Sequence, residues 1–287
     1  MGRISKGWQL TKKAWGVVRE NPGLVRLPIY GGLLAFVSIL VFGAPGFYLV
    51  SQQQASNAEL VGGGILLVIG GYLSSYFVIY YNVALAAAAD LAFRGKPASV
   101  QAGLAVARAR RGVIASWAAV ALIVSMIFNL IRDRGGLAGQ IAAGLGAAIW
   151  ALITFLIAPV LAFEGLGPFA AIKRSASMFR DKWGQQITGN LAIGVITGLA
   201  AFAAVLVIVA GVFALLAGGA ATIAGGGLIL LGVIALIATV VVSGAVRGVF
   251  GVALYRYIVS EEAVGPFTAA EFEDCVKVKG GTRALGI

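Results

Sequence analysis

Long apolar runs alternate along the chain with shorter stretches in which aromatic and basic residues recur at helical spacing. Residues 27–50, 60–89, 113–131, 137–163, 187–216 and about 228–259 each supply the roughly 20 apolar residues that a helix needs to cross the hydrocarbon of a bilayer. The pattern therefore predicts six membrane-spanning helices. The polar connector SQQQASNAE at 51–59, the turn at 132–136 and the glycine-rich stretch 218–227 join them into hairpins. Pro159 falls near the end of the fourth run and is expected to bend it rather than end it, because neighbouring helices satisfy the freed carbonyl.

The intervening stretches predict helices that lie on a membrane surface. In APVLAFEGLGPFAAIKRSASMFRDKW, residues 158–183, the apolar run stops at Glu164 and Pro168 opens a new helix, where a missing N–H costs nothing. Phe169, Ile172, Ala176, Phe179 and Trp183 then share one face, with Lys173, Arg174, Arg180 and Lys182 mostly off it. Residues 3–20 repeat the arrangement with Ile4, Trp8, Trp15 and Val18 among Lys6, Lys12, Lys13 and Arg19. Residues 98–111 set Val100, Leu104 and Ala107 against Arg108, Arg110 and Arg111. The tail EEAVGPFTAAEF, 261–272, resembles EGLGPFAAI at 164–172: an apolar run, an acidic residue, Gly-Pro-Phe, then an amphipathic stretch. Asp90 followed by Lys96-Pro97 is a looser third copy. We read one all-α membrane domain, 1–287: a polytopic bundle of six transmembrane helices built from three hairpin repeats with amphipathic cytoplasmic interfacial helices. Its units are approximately 1–96, 97–166 and 167–264, followed by a C-terminal amphipathic segment and tail at 265–287.

Composition sharpens this picture. With 60% hydrophobic and 11% charged residues among 287, the chain has too few charges to coat a water-soluble globule. The net charge of +11 lies beside apolar runs instead of in one patch, so anionic membrane lipids are the expected partner and nucleic acid is not. The chain has no histidine and one cysteine, which removes imidazole chemistry and any disulfide within a chain and disfavours metal and thiol enzymes. No cleavable secretory signal is read at the N-terminus, whose tryptophan-bearing basic stretch precedes the first long apolar run. Arg3, Lys6, Lys12, Lys13, Arg19 and Arg26, the basic residues of 94–111 and 173–182, and those after 246 all fall on one side of the predicted spans. Arg132 and Arg134 are the basic residues of the other. By the positive-inside rule both termini and all basic arms face the cytoplasm, in a multi-pass protein of the bacterial cytoplasmic (inner) membrane.

Four polar groups near the spans form a candidate site. Arg247 is expected roughly 18 Å from the end of the sixth span at 1.5 Å per residue, and an intramembrane arginine is a site hypothesis by default. Asp90 and Glu164 are its natural partners, with Arg256 competing for them. The structural alternative, a pair that only holds the bundle together, is the simpler reading. Asp90, Glu164 and Glu261-Glu262 stand where even-numbered spans end. They read either as a ring gating cations or as carboxylates that each pair with the adjoining arm, and the second reading is preferred. Gly194 with Gly198, and Gly244 with Gly248, have GxxxG spacing and are expected to pack the fifth span on the sixth. Tyr72, Tyr76 and Tyr80 read as a packing seam, and Trp8, Trp15 and Trp183 as headgroup anchors. No Walker loop, G-x-S-x-G, H-E-x-x-H or acidic metal cluster occurs, and no cofactor is expected.

Residues 159–190, PVLAFEGLGPFAAIKRSASMFRDKWGQQITGN, carry P-x-x-x-x-E-G at 159–165, K-R-S at 173–175 and K-W-G at 182–184. In these the chain resembles an uncharacterised family of bacterial and archaeal integral membrane proteins with six spans. It is more distantly similar to the membrane domain fused to some glycerophosphodiester phosphodiesterases. No soluble phosphodiesterase domain is present, so the resemblance carries no such activity over. The expected function is that of a non-enzymatic scaffold or lipid-organising component. Its candidate headgroup contacts are Lys12, Lys13, Arg108, Arg110, Arg111, Lys173, Arg174, Arg180 and Lys182. The rival is a transporter or channel using Arg247 with Asp90 or Glu164. A homo-oligomer or a protein partner is left open.

Overall fold

The structure, a computed structural model, describes residues 3–181, 183–219 and 221–274. Among these residues all regular secondary structure is helical. Six helices are long and apolar enough to cross a membrane: Gly23–Ser51, Asn57–Phe93, Arg111–Arg134, Gly136–Ile153, Ile196–Ala217 and Ala221–Ser260. They pack as three antiparallel hairpins, and shorter helices at Arg3–Glu20, Val100–Ala109, Pro168–Asp181 and Ala269–Asp274 gather at the end opposite the hairpin turns.

Local chemistry sets the boundaries. The N-terminal helix closes at Asn21, whose side-chain amide donates to the Val17 carbonyl at 3.0 Å. In the first span Pro45 offers no N–H and its ring excludes the carbonyl four residues back, and the helix widens into a π turn at Ile39–Gly43. The connector hands over to the second span through a capping box: the Ser56 N–H donates to Glu59 Oε2 at 2.8 Å and the Glu59 N–H to Ser56 Oγ at 3.3 Å. Ser99 caps the middle arm by accepting from the Ala102 N–H at 3.2 Å.

The second and sixth spans are much longer than a bilayer requires. At 40 residues, Ala221–Ser260 extends roughly 60 Å, about twice the hydrocarbon thickness. Its burial divides accordingly. Large exposed apolar side chains run from Ile223 to Val240, whereas Ala245, Val249, Phe250, Val252, Ala253 and Leu254 are enclosed by protein. In the second span the large exposed apolar side chains run from Leu60 to Ile69, residues 71–77 are half-buried, Val78 is exposed, and Val83 to Asp90 are buried. These two buried ends, the 156–162 segment and the arms make one core at the arm end of the bundle.

Four expectations are corrected. The fourth run is not one bent helix: Gly136–Ile153 ends, residues 154–156 form a turn, and a short piece with a π turn at Val160–Glu164 follows. Pro159 cannot donate and its ring crowds the Phe155 carbonyl, so the ladder fails one turn earlier. The glycine-rich stretch is a turn only around Gly218 and Gly219, with φ of 74° and 60°, while Gly225, Gly226 and Gly227 lie inside the sixth span. There Gly225 packs on Gly211 and Leu215, and Gly232 on Ala204 and Ile208. That is the close contact of the fifth span with the sixth, and the two GxxxG pairs do not make it. Gly194 and Gly198 have open space where a side chain would begin, Gly244 faces Pro28, and Gly248 faces Leu85. Finally, Gly265-Pro266 opens no helix but a turn, and helix resumes at Ala269, because the Pro266 carbonyl accepts from Lys13 Nζ at 2.7 Å and Phe267 is buried.

Candidate functional site

Two features at the arm end have the chemistry of a site: a knot of ion pairs, and a cavity beside it. Asp90, buried at the end of the second span, accepts from Arg256 Nε at 2.6 Å and from Arg94 Nε at 2.9 Å. Glu164 accepts from Arg174 Nε at 3.1 Å and from the Tyr255 hydroxyl at 2.9 Å. Phe163 joins the two halves, with the Arg256 guanidinium 4.8 Å from its ring centre and the Tyr255 ring 5.3 Å away. Gly165, at φ 64°, ends the π segment in a left-handed conformation, and the Arg110 guanidinium lies against it where a side chain would start. The knot thus ties the second, fourth and sixth spans to the third arm. Ser175 adds a further tie by donating to the Ile153 carbonyl, which the helix break leaves without its own N–H partner.

The tail makes a separate lock. Lys13 Nζ lies 2.6 Å from Glu271 Oε1, and Glu271 Oε2 accepts from the Thr268 N–H at 2.9 Å. Burial favours the neutral acid, but the hydrogen bonds from Lys13 and Thr268 and the charge of Lys13 outweigh it and hold the Glu271 carboxyl below its ordinary value. Phe267 and Phe272 are buried beneath, with Phe272 stacked on Tyr257 at 4.7 Å and Phe267 edge-on to Phe93 at 6.1 Å.

Of the predicted group of four, the structure brings Asp90 and Arg256 together and gives Glu164 to Arg174 and Tyr255. Arg247 stands apart. It is nine residues before Arg256, roughly 14 Å along the helix, and among the described residues it has neither an ion pair nor a hydrogen bond. It lines a cavity of about 330 Å³ together with Asn82, Thr154, Trp117, Trp150 and Ala121. The two indole rings are stacked, 5.9 Å apart and 2° from parallel. Among the described residues no carboxylate lines this cavity. The helix break supplies part of its wall, and Gly244, Gly248 and Gly251 of the sixth span line it as well.

The predicted headgroup residues divide into two sets. Lys12, Arg108, Arg111, Lys173 and Arg180 are exposed, whereas Lys13 and Arg174 serve the internal pairs and Arg110 is half-buried against Gly165. Lys182, and the side chains of Phe179 and Trp183, lie outside the described residues. In Pro168–Asp181, Ala171, Ser175 and Met178 are buried, Ile172 of the predicted stripe is half-buried against the core, and Phe169 is 78% exposed on the side opposite Ala171, Ser175 and Met178. Tyr72 and Tyr80 do form a seam, donating to the carbonyls of Ala115 at 3.3 Å and Leu104 at 3.5 Å. The sequence does not signal Tyr255, Phe163 or the Lys13–Glu271 pair. Their partners are distant in sequence, and no local spacing signals them.

A family model described as a family of unknown function (DUF6159) matches residues 61–265. No curated protein and no solved structure matches the chain.

Proposed function

The chain belongs to that family of unknown function, and we propose that the protein is a non-enzymatic, lipid-organising scaffold of the bacterial cytoplasmic membrane, resting basic arms on anionic headgroups at the cytoplasmic face. One observation carries the proposal: two arms present the same outward face in the same helical register. In Arg3–Glu20 the buried residues are Leu10, Ala14, Val17 and Val18, and the side away from Leu10, Ala14 and Val17 carries exposed Trp8, Lys12, Trp15 and Arg19. In Pro168–Asp181 the buried residues are Ala171, Ser175 and Met178, and the opposite side carries exposed Phe169, Lys173 and Arg180. An aromatic body with flanking cations, turned away from the protein at the end of an apolar bundle, suits the boundary between acyl chains and anionic headgroups. The internal pairs Lys13–Glu271 and Arg174–Glu164 stand next to Lys12 and Lys173 and hold both faces outward.

The transporter reading draws less support, since Asp90 and Glu164 are engaged with Arg256, Arg94, Arg174 and Tyr255 and, among the described residues, no carboxylate lines the cavity of Arg247. The likeness to the phosphodiesterase-fused membrane domain rests on short motifs and adds no activity.

The test is the relative association of spin-labelled phosphatidylglycerol and phosphatidylcholine with the protein in nanodiscs, read by electron paramagnetic resonance. Wild type is expected to favour phosphatidylglycerol. That preference should vanish in high salt and in the combined variant Lys12→Glu, Arg19→Glu, Lys173→Glu, Arg180→Glu. Equal association of the two lipids with wild type, or a preference that survives the variant, would overturn the proposal.

A further inference from the structure

We propose that the cavity beside Arg247 is a specific site for a single anionic phospholipid, with its phosphate on the Arg247 guanidinium and an acyl chain running down the outside of the spans. This goes beyond diffuse headgroup binding by the arms, because it uses different residues and predicts a fixed stoichiometry.

Charge is the first argument. Arg94, Arg174 and Arg256 each have a carboxylate, whereas Arg247, one helix segment away, has none among the described residues. A guanidinium flanked by protein and lipid without an anion is poorly solvated, and a phosphate is the partner whose geometry fits its fork of donors.

The second argument is the lining. The cavity, at about 330 Å³, is within the range of small-molecule sites and has their composition, mostly apolar with a few convergent polar groups. Asn82 offers amide donors beside Arg247, and the Thr154 hydroxyl, which donates to the Trp150 carbonyl at 2.7 Å, keeps its oxygen as an acceptor for a headgroup hydroxyl. The stacked Trp117–Trp150 pair gives a flat apolar wall of the kind found at the headgroup boundary.

Depth is the third. On the sixth span the exposed band of large apolar side chains ends at Val240, and Arg247 follows about 10 Å further along the axis. On the second span Val78 is the last exposed large apolar residue, and Asn82 follows about 6 Å further. The headgroup layer occupies roughly the next 5–8 Å beyond the hydrocarbon on each side, and a long side chain spans the remainder. Both polar groups thus meet a phosphate rather than an acyl chain. Arg247 is exposed, and Ala121 and Ile79 are half-buried, so the cavity is reached sideways from the leaflet.

The experiment uses the full chain in phosphatidylcholine nanodiscs, titrated with phosphatidylglycerol brominated on its acyl chains, and reads quenching of tryptophan fluorescence. A saturable phase with one lipid per protein is expected. Its half-saturating concentration should rise at least tenfold in Arg247→Gln and in Ala121→Phe, which fills the cavity without touching the charge, and should be largely restored in Arg247→Lys. The Lys12→Glu, Lys173→Glu variant is expected to keep this phase, which separates the site from the arms. Quenching that never saturates, or that is unchanged in Arg247→Gln and Ala121→Phe, would overturn the proposal. Competition by inorganic phosphate alone would also overturn it, by showing a free-anion site, as would stronger saturable binding of brominated fatty acid than of the phospholipid.

Discussion

Arg256 Nε lies 2.6 Å from Asp90 Oδ1, joining residues 166 positions apart at the buried ends of the second and sixth spans. The side chains of Asp90 and Arg256 are 11% and 22% exposed, so water does little to screen the pair. Removing one partner strands the other. Asp90→Asn is expected to cost about 3 kcal/mol, read as a lowered unfolding midpoint in detergent. In the double variant Asp90→Asn, Arg256→Met the loss should be smaller than the sum of the single losses, because neither charge is then left alone.

Glu164 is shared between Arg174 and Tyr255, which makes the two contacts separable. Tyr255→Phe removes one hydrogen bond to a charged acceptor and is expected to cost about 1.5 kcal/mol. Glu164→Gln weakens both contacts and should cost more. Equal midpoints for the two variants would contradict the shared arrangement.

Acid should release the tail. The carboxyl of Glu271 is held below its ordinary value, so its native state binds a proton less readily than the unfolded chain does. The stabilisation is therefore present above the usual glutamate range, near pH 4.3, and is lost as pH falls through the lowered native value. The hydrogen-exchange protection factors at Phe267 and Phe272, corrected for the fall of the intrinsic rate with pH, should be high at pH 6 and should drop below about pH 4. Lys13→Ala should speed exchange at pH 6 and flatten this pH dependence.

Glycines that look alike in the sequence should respond differently. A side chain at Gly225 would begin 2.7 Å from the Gly211 carbonyl oxygen and the Leu215 nitrogen, backbone atoms that cannot turn aside. Gly225→Val is expected to lower stability by about 1–3 kcal/mol through overpacking. Gly226 and Gly227 face open space, and alanine there should be neutral or stabilising by up to about 1 kcal/mol.

These glycines also show where sequence periodicity stops being informative. The six spans are legible because hydrocarbon demands unbroken apolar runs, and the arms because aromatic and basic residues recur at helical spacing. The rest depends on which helix meets which. Residues 218–227 hold two glycine clusters, yet only the first turns, and the second, in contact with Gly211, stays helical. Gly167-Pro168 and Gly265-Pro266 share a motif, but the Pro266 carbonyl is held by Lys13 from the other end of the chain, and the second copy forms a turn. Arg247 and Arg256 lie on one helix among similar neighbours, and only the placement of Asp90 makes one paired and the other free. The face of Pro168–Asp181 follows the same logic: Ala171, Ser175 and Met178 are buried against the bundle, and Phe169 points outward.

The central claim is a six-span bundle with its basic arms on one face of the membrane. Single cysteines placed at Lys12, Arg108, Lys173 and Asp133 in a Cys275→Ser background, labelled with a membrane-impermeant maleimide in vesicles of known orientation, test it most directly. The account predicts that the first three label from the cytoplasmic side and Asp133→Cys from the other. Labelling of Arg108→Cys or Lys173→Cys from the side opposite Lys12→Cys would contradict it.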